Sequence, residues 1–149
     1  MKKEKILEHQ WNYIEWIKTL QELSEEQATS PYAEGKWSPN EIVMHLAEWD
    51  RFTLEERLPQ MKEGKKLERF PDFEGFNAKA EARAQELTFK ETLRYAKQQR
   101  QAIIEKLQEI EEVEWDKVFF IGEHQLSIRK YFTDFIDHDN HHKMQISHI

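Results

Sequence analysis

The chain has 149 residues, with 29 acidic against 22 basic side chains, a formal charge of −7 and no cysteine. A field of that sign repels phosphate backbones, so nucleic acid is not an expected partner, and the missing thiol excludes zinc–thiolate sites, disulfide frameworks and a cysteine nucleophile. No apolar run approaches the ~20 residues of a membrane span and Met1 to Gln10 lacks a signal-peptide core, so the expectation is a cytoplasmic protein with one domain over residues 1–149.

Ile6, Tyr13, Ile17 and Leu20, flanked by Leu7, Ile14 and Trp16, recur at helical spacing and predict a first helix through the first two dozen residues. His9 borders that stripe and reads as a packing residue. Thr29 to Lys36, with Ser30-Pro31 and Gly35, breaks the period as a loop. A second helix opens at Trp37-Ser38-Pro39-Asn40-Glu41, where Ser38 is the N-cap, Pro39 suits the first helical position and Glu41 closes a capping box. Its inward stripe is Ile42, Leu46, Trp49 and Thr53, with His45 and Phe52 along one border, and it runs to about Leu58 before Pro59 stops it. Gly64 to Gly75, with Phe70, Phe73 and then Phe76, is too long for a tight turn and too aromatic for a free linker. It predicts a crossover packed over one end of a bundle.

Asn77 to Glu86 is alanine-rich and helical. Thr88 with Glu91 offers another capping box ahead of the third helix, whose stripe is Phe89, Leu93, Ala96, Ile103, Ile104, Leu107 and Ile110. Arg100 falls inside that stripe. It reads as a snorkelling side chain, as a buried partner for Asp50 or Asp139, or as an anchor for a substrate anion in a pocket. Val118 to Gly122 leaves the helical period as a short extended piece turning at Gly122. Ser127 then caps the last helix, which carries Ile128, Tyr131, Phe132 and Phe135.

That helix ends in Asp134 to Ile146, where three of the seven histidines fall within five residues. On an α-helix His138 and His142 lie about 40° apart, one turn above the other, and can reach a common point; His141 points away. Zinc-like ions want three protein ligands when catalytic and four when structural, and His45, which shares a face with Ile42, Trp49 and Phe52, is the third candidate. Four amphipathic helices without a convincing sheet predict an all-α four-helix bundle with a long crossover between helices two and three. Facing helices of such a bundle build metal sites from inward ligands. The bland alternative is a set of polar residues lining a wet end of the bundle. Asp139 projects near the centre of the apolar stripe, where an unpaired carboxylate is expensive, and is expected to accept from a ligand histidine's second N–H or to act as a nearby base. The run His138-Asp139-Asn140-His141-His142 also reads H-D-x-x-H, close to the zinc-protease H-E-x-x-H, with His148 at the extended motif's third histidine; Gln145 in place of the turn glycine and Asp in place of the general-base Glu argue against it.

Trp37-Ser38-Pro39-Asn40-Glu41-Ile42-Val43-Met44-His45-Leu46 is similar to the W-s-x-x-e-x-x-x-H-L motif of the DinB-like superfamily, bacterial four-helix-bundle proteins grouped as DinB/YfiT-like metalloenzymes. His138-Asp139-Asn140-His141-His142-Lys143-Met144-Gln145-Ile146 resembles its H-x-x-x-H-x-g-Q-i, and Phe76-Asn77-Ala78 resembles its f-N-a ahead of the third helix. The resemblance implies a divalent metal ion, zinc or nickel, on His45, His138 and His142, with water completing the shell. Relatives in the superfamily include metal-dependent transferases that activate low-molecular-weight thiols such as bacillithiol or mycothiol, a mycothiol-dependent isomerase, and colibactin-resistance proteins of a related four-helix group. The implied function is therefore a thiol S-transferase or hydrolase with a small-molecule substrate, Asp139 and Arg100 serving chemistry or substrate anchoring; the alternative is a non-catalytic metal-binding or interaction bundle. Met144 stands where the family has a small residue and narrows the space beside the site. Any thiolate must arrive as a cosubstrate. Homodimers are common among such proteins, and Trp11 and Phe120, expected to be exposed, are compatible with one.

Overall fold

Reciprocal caps fix where the helices begin. Ser38 Oγ accepts from the Glu41 N–H at 3.2 Å while the Glu41 carboxylate accepts from the Ser38 N–H at 3.0 Å, and Thr88 and Glu91 exchange the same pair of bonds. Each box satisfies two backbone donors that the helix itself leaves orphaned. The computed structural model describes residues 1–70 and 72–147, so His148 lies outside the described residues. Its helices are α1 (Lys3–Thr19), α2 (Glu25–Thr29), α3 (Pro39–Phe52), α4 (Phe73–Glu86), α5 (Phe89–Glu109) and α6 (Ile128–Ser147). The four long amphipathic ones, α1, α3, α5 and α6, are the expected bundle: α1 packs on α5 and α6, and α3 packs on α5 and the flanking α4.

The core runs the length of these helices. Toward one end Ile103, Leu107, Trp115, Phe119 and Phe132 are fully buried; toward the other Tyr13, Ile17, Ile42, Leu46, Phe89 and Ile146 fill the space between α1, α3, α5 and α6. Burying one such large apolar side chain stabilises the fold by roughly 1.5–3 kcal/mol. Among the described residues no helix is long and apolar enough to cross a membrane.

Three features depart from the sequence expectation. First, α1 stops at Thr19, continues as a 3-10 turn over Leu20–Glu22, and is followed by α2, opened by a capping box between Ser24 and Gln27. Second, α3 passes into a π turn, Thr53–Arg57, and a 3-10 turn, Leu58–Gln60, so that Pro59 sits inside helical structure and the chain leaves only at Met61. Third, a small sheet exists. β1 (Lys66–Leu67) pairs in parallel with β2 (Phe119–Ile121), and β2 pairs antiparallel with β3 (His124–Leu126) in the register Phe119 to Leu126 and Ile121 to His124. Gly122, at φ 60°, leads the two-residue hairpin; a Cβ there would also run into the Arg69 side chain. Phe120 is half-buried as part of the middle strand, whereas Trp11 is exposed on α1.

The crossover from α3 to α5 lays its aromatic residues along α3. Phe70 stands edge-on to Phe52 at 4.8 Å between ring centroids and Phe76 edge-on to Trp49 at 6.1 Å, so the aromatic residues of the segment close over the part of α3 that carries His45.

Candidate metal centre

His45 in mid-α3 and His138 and His142 on α6 converge. Their ring centroids are 5.9 Å (His45 to His138), 5.1 Å (His45 to His142) and 4.7 Å (His138 to His142) apart, and one ligand nitrogen from each ring lies within 4.8 Å of the other two. Three imidazoles bound at 2.0–2.1 Å to one tetrahedral ion place their nitrogens about 3.4 Å apart, so small ring movements close the triangle. His141, on the same helix, is exposed and turns away.

The rings are held neutral. Burial pushes His45 down to about 3, with the neighbouring His142 and His138 adding to the depression and the Asn77 side chain opposing it. Burial likewise takes His142 down to about 4, partly offset by its bond to Gln145, and lowers His138, on which Asp139 pulls the other way. Neutral imidazole is the form that binds metal. The Nδ1 atoms of His45 and His138 are buried without a hydrogen-bond partner, an expensive state that a bound cation or its associated water relieves. His142 Nδ1 lies 2.6 Å from Gln145 Oε1, an acceptor, which puts the proton on Nδ1 and turns the Nε2 lone pair toward the other two rings. Gln145, which the sequence offered only as a motif letter and in place of a glycine, is thus the residue that orients His142. The donor set of three neutral imidazoles, His142 buried and His45 and His138 half-buried, fits a divalent transition metal.

Aromatic rings wall the centre. Trp37, whose indole N–H donates to Glu81, lies 5.1 Å from the His45 ring; Phe76 lies 6.2 Å from His45, and Trp49 6.1 Å from His138. A cleft of about 470 Å³ opens beside His138 between Trp49, Tyr131 and the β2–β3 hairpin. Met144 is exposed on α6.

Asp139 and Arg100 lie behind the histidines rather than in the cleft. Arg100 donates from Nε and Nη2 to Asp50 at 2.8 and 3.1 Å, from Nη1 and Nη2 to Asp139 at 2.8 Å each, and from Nη1 to Gln10 at 3.0 Å. A guanidinium has five N–H donors, and here all are spent on protein acceptors in a wholly buried position. Of the three readings of Arg100 the structure shows the buried partner; as a substrate anchor it has neither a free donor nor solvent access. Asp139 in turn gives both oxygens to Arg100 and none to a histidine ring. Burial pushes Asp50 up to about 6 even beside the guanidinium, while the two carboxylates hold Arg100 well above its ordinary range against the opposing effect of burial. The guanidinium also stacks 3.5 Å over the Tyr13 ring.

A family model described as the DinB superfamily matches residues 7–146. Among solved structures the chain is similar to YfiT from Bacillus subtilis, described as a probable metal-dependent hydrolase with an unusual four-helix bundle topology. The two are 16% identical with a TM-score of 0.82, over 98% of this chain and 84% of that one. No curated protein matches the chain by sequence.

Proposed function

The chain belongs to the DinB superfamily, and from that membership and its three-histidine cluster we propose that it is a divalent-metal-dependent enzyme acting on a small molecule, with a low-molecular-weight thiol or water as the nucleophile. The observation that carries the reading is the triangle of neutral imidazoles, two of them with a buried, unpartnered nitrogen, whose member His138 lines a cleft large enough for a small substrate. Zinc or nickel suits that donor set. Bound there, either ion supplies Lewis acidity that lowers the pKa of a water or thiol beside it toward neutrality.

The protein's own part is positioning and exclusion of solvent. Gln145 fixes the tautomer of His142, the Asn77 side chain stands beside the His45 ring, and Trp37, Trp49 and Phe76 keep water from the rings' outer faces. Asp139 is a positioning residue: its bidentate bond to Arg100 holds the stretch of α6 between the two ligands. The description of YfiT as a probable hydrolase supports water as the nucleophile, and the superfamily resemblance of the motifs supports a bacillithiol-like thiol. With no cysteine in the chain, that thiol is a cosubstrate.

The test is turnover of a generic electrophile, monochlorobimane or a haloalkane, by zinc- and nickel-loaded protein with bacillithiol, mycothiol, glutathione or water alone, beside chelator-treated protein. A metal-dependent rate with a thiol gives the transferase, and one with water alone the hydrolase. No metal-dependent rate with any donor, together with a metal whose coordination is completed by protein, refutes the enzyme reading in favour of a structural metal.

A further inference from the structure

The cleft beside His138 contains a charge that the protein does not neutralise. Arg57, in the π turn after α3, is only 8% exposed, and among the described residues its hydrogen bond is a single one, from Nη1 to the Tyr131 hydroxyl at 3.2 Å; Nε has no partner. That hydroxyl is shared with Thr53 at 3.0 Å. The guanidinium is stacked against Trp49, Phe52 and Tyr131 at 5.3, 5.0 and 5.8 Å from their ring centroids. Arg100 shows what this chain does with a buried guanidinium it means to neutralise: two carboxylates and an amide take every donor. Arg57 has aromatic rings and one neutral hydroxyl instead. A desolvated cation left in that state is costly, and it is common where a ligand completes it.

The rest of the cleft wall narrows the ligand. Lys130 lines it too, but its ammonium is paired with Asp134 at 2.9 Å, so the unspent charge is that of Arg57 alone. One positive charge matches a monoanion. A guanidinium meets a planar carboxylate with two N–H bonds at once, which favours that group over a dispersed or spherical anion. Trp49, Leu126 and Phe135 give the cleft an apolar wall, and the Trp49 ring lies 5.3 Å from the guanidinium and 6.1 Å from the His138 imidazole.

We propose that this cleft is the substrate pocket, that the substrate carries a carboxylate on an apolar body, and that Arg57 binds the carboxylate and so presents the reacting group toward His138. The direction toward His138 rests on the metal-enzyme reading above; the carboxylate site itself does not. Phenylacetate and its neutral isostere phenylacetamide are the probes, titrated by calorimetry and by NMR into the full chain, once stripped with chelator and once zinc-loaded. The stripped wild-type protein binds phenylacetate roughly ten- to hundredfold tighter than phenylacetamide, the range for a charged hydrogen bond. Arg57→Met abolishes the preference and leaves phenylacetamide affinity where it was. Should R57M fail to fold, as read by circular dichroism, wild-type indole N–H resonances decide: phenylacetate shifts Trp49 and leaves Trp115 in place. Equal affinity of the stripped wild-type protein for acid and amide, or shifts at Trp115 without Trp49, overturns the proposal. Loss of zinc binding alone, with the acid preference intact, counts against the metal reading and upholds the carboxylate site.

Discussion

Arg100→Met removes the one cation between two fully desolvated carboxylates and should be among the most damaging substitutions in the chain. Asp50 and Asp139 are buried with Arg100 as their counter-charge. Without it, each must take a proton to stay in the core. From an unfolded carboxyl pKa of about 3.9, protonation at pH 7 costs about 4 kcal/mol per group and about 8 kcal/mol for the pair; at pH 5 the pair costs about 3 kcal/mol. Against the 5–15 kcal/mol total typical of a domain, the first figure leaves the variant marginal or unfolded and the second leaves it folded. The expected loss of Tm relative to wild type is roughly 15–30 °C at pH 7 and roughly 6–12 °C at pH 5. The sign follows from linkage: folded carboxyls with raised pKa contribute stability that is present below about pH 4 and lost as pH rises. Asp50, already pushed up to about 6 in the intact protein, shows the same tendency on a smaller scale. Thermal melts by circular dichroism from pH 4.5 to 7.5 measure this. A deficit of only a few degrees at pH 7, or one that shrinks as pH rises, refutes the reasoning. The apolar triple variant R100M/D50L/D139L should recover most of the lost stability, because it leaves no unpaired charge behind.

His45→Ala should reduce the metal content of tag-free protein from about one ion per chain to near zero, while His141→Ala keeps it; elemental analysis in which the two variants behave alike would remove the assignment of ligands. Gln145→Leu releases the His142 tautomer and should weaken zinc about 10- to 100-fold by competition with a chromophoric chelator, with an unchanged far-ultraviolet spectrum; unchanged affinity means that Gln145 does not orient the ligand. Because burial holds His45 near 3 and His142 near 4, protons begin to compete with metal for these rings only as the pH falls toward 4, whereas histidines of ordinary pKa compete from about 6.5 downward. A chelator-challenge curve with its midpoint at 6.5 contradicts that. The same depressed values predict that metal-free protein loses stability as pH falls from about 6.5 toward 4, since there the unfolded chain takes protons that the folded rings refuse.

The parts of this architecture that depend on local chemistry were legible in the chain itself. Ser38 with Glu41 and Thr88 with Glu91 mark helix starts that the structure reproduces bond for bond, and the inward phase of His45, His138 and His142 follows from the apolar residues at three- and four-residue spacing around them. Ser24 with Gln27 carries the same signal, but the helix it opens is only five residues long, too short to show an apolar stripe of its own. Of the sheet, the extended piece at Val118 to Gly122 with its turn at Gly122 was legible and is β2; its partners were not, because strands of two or three residues are too short to show alternation and β1 pairs with β2 across more than fifty residues of chain. Arg57 stands four residues after Thr53 on the inward stripe, a cation on an apolar face, which is the signal that singled out Arg100.

Arg100 ties together the two helices that carry the three-histidine cluster and also balances the charge of the core. Asp50 is on α3, five residues beyond His45; Asp139 is on α6, between His138 and His142; the guanidinium that joins them comes from α5. Each bidentate bond fixes the rotation and the height of one ligand-bearing helix relative to α5, and a slip of one residue in either helix would turn its histidine by about 100° away from the others. Apolar packing tolerates such slips more readily, because dispersion contacts are plentiful and undirected. A buried ionic cluster confers little net stability over an apolar one. Its directional bonds, set directly behind the ligands, hold three imidazoles from two helices within reach of one ion.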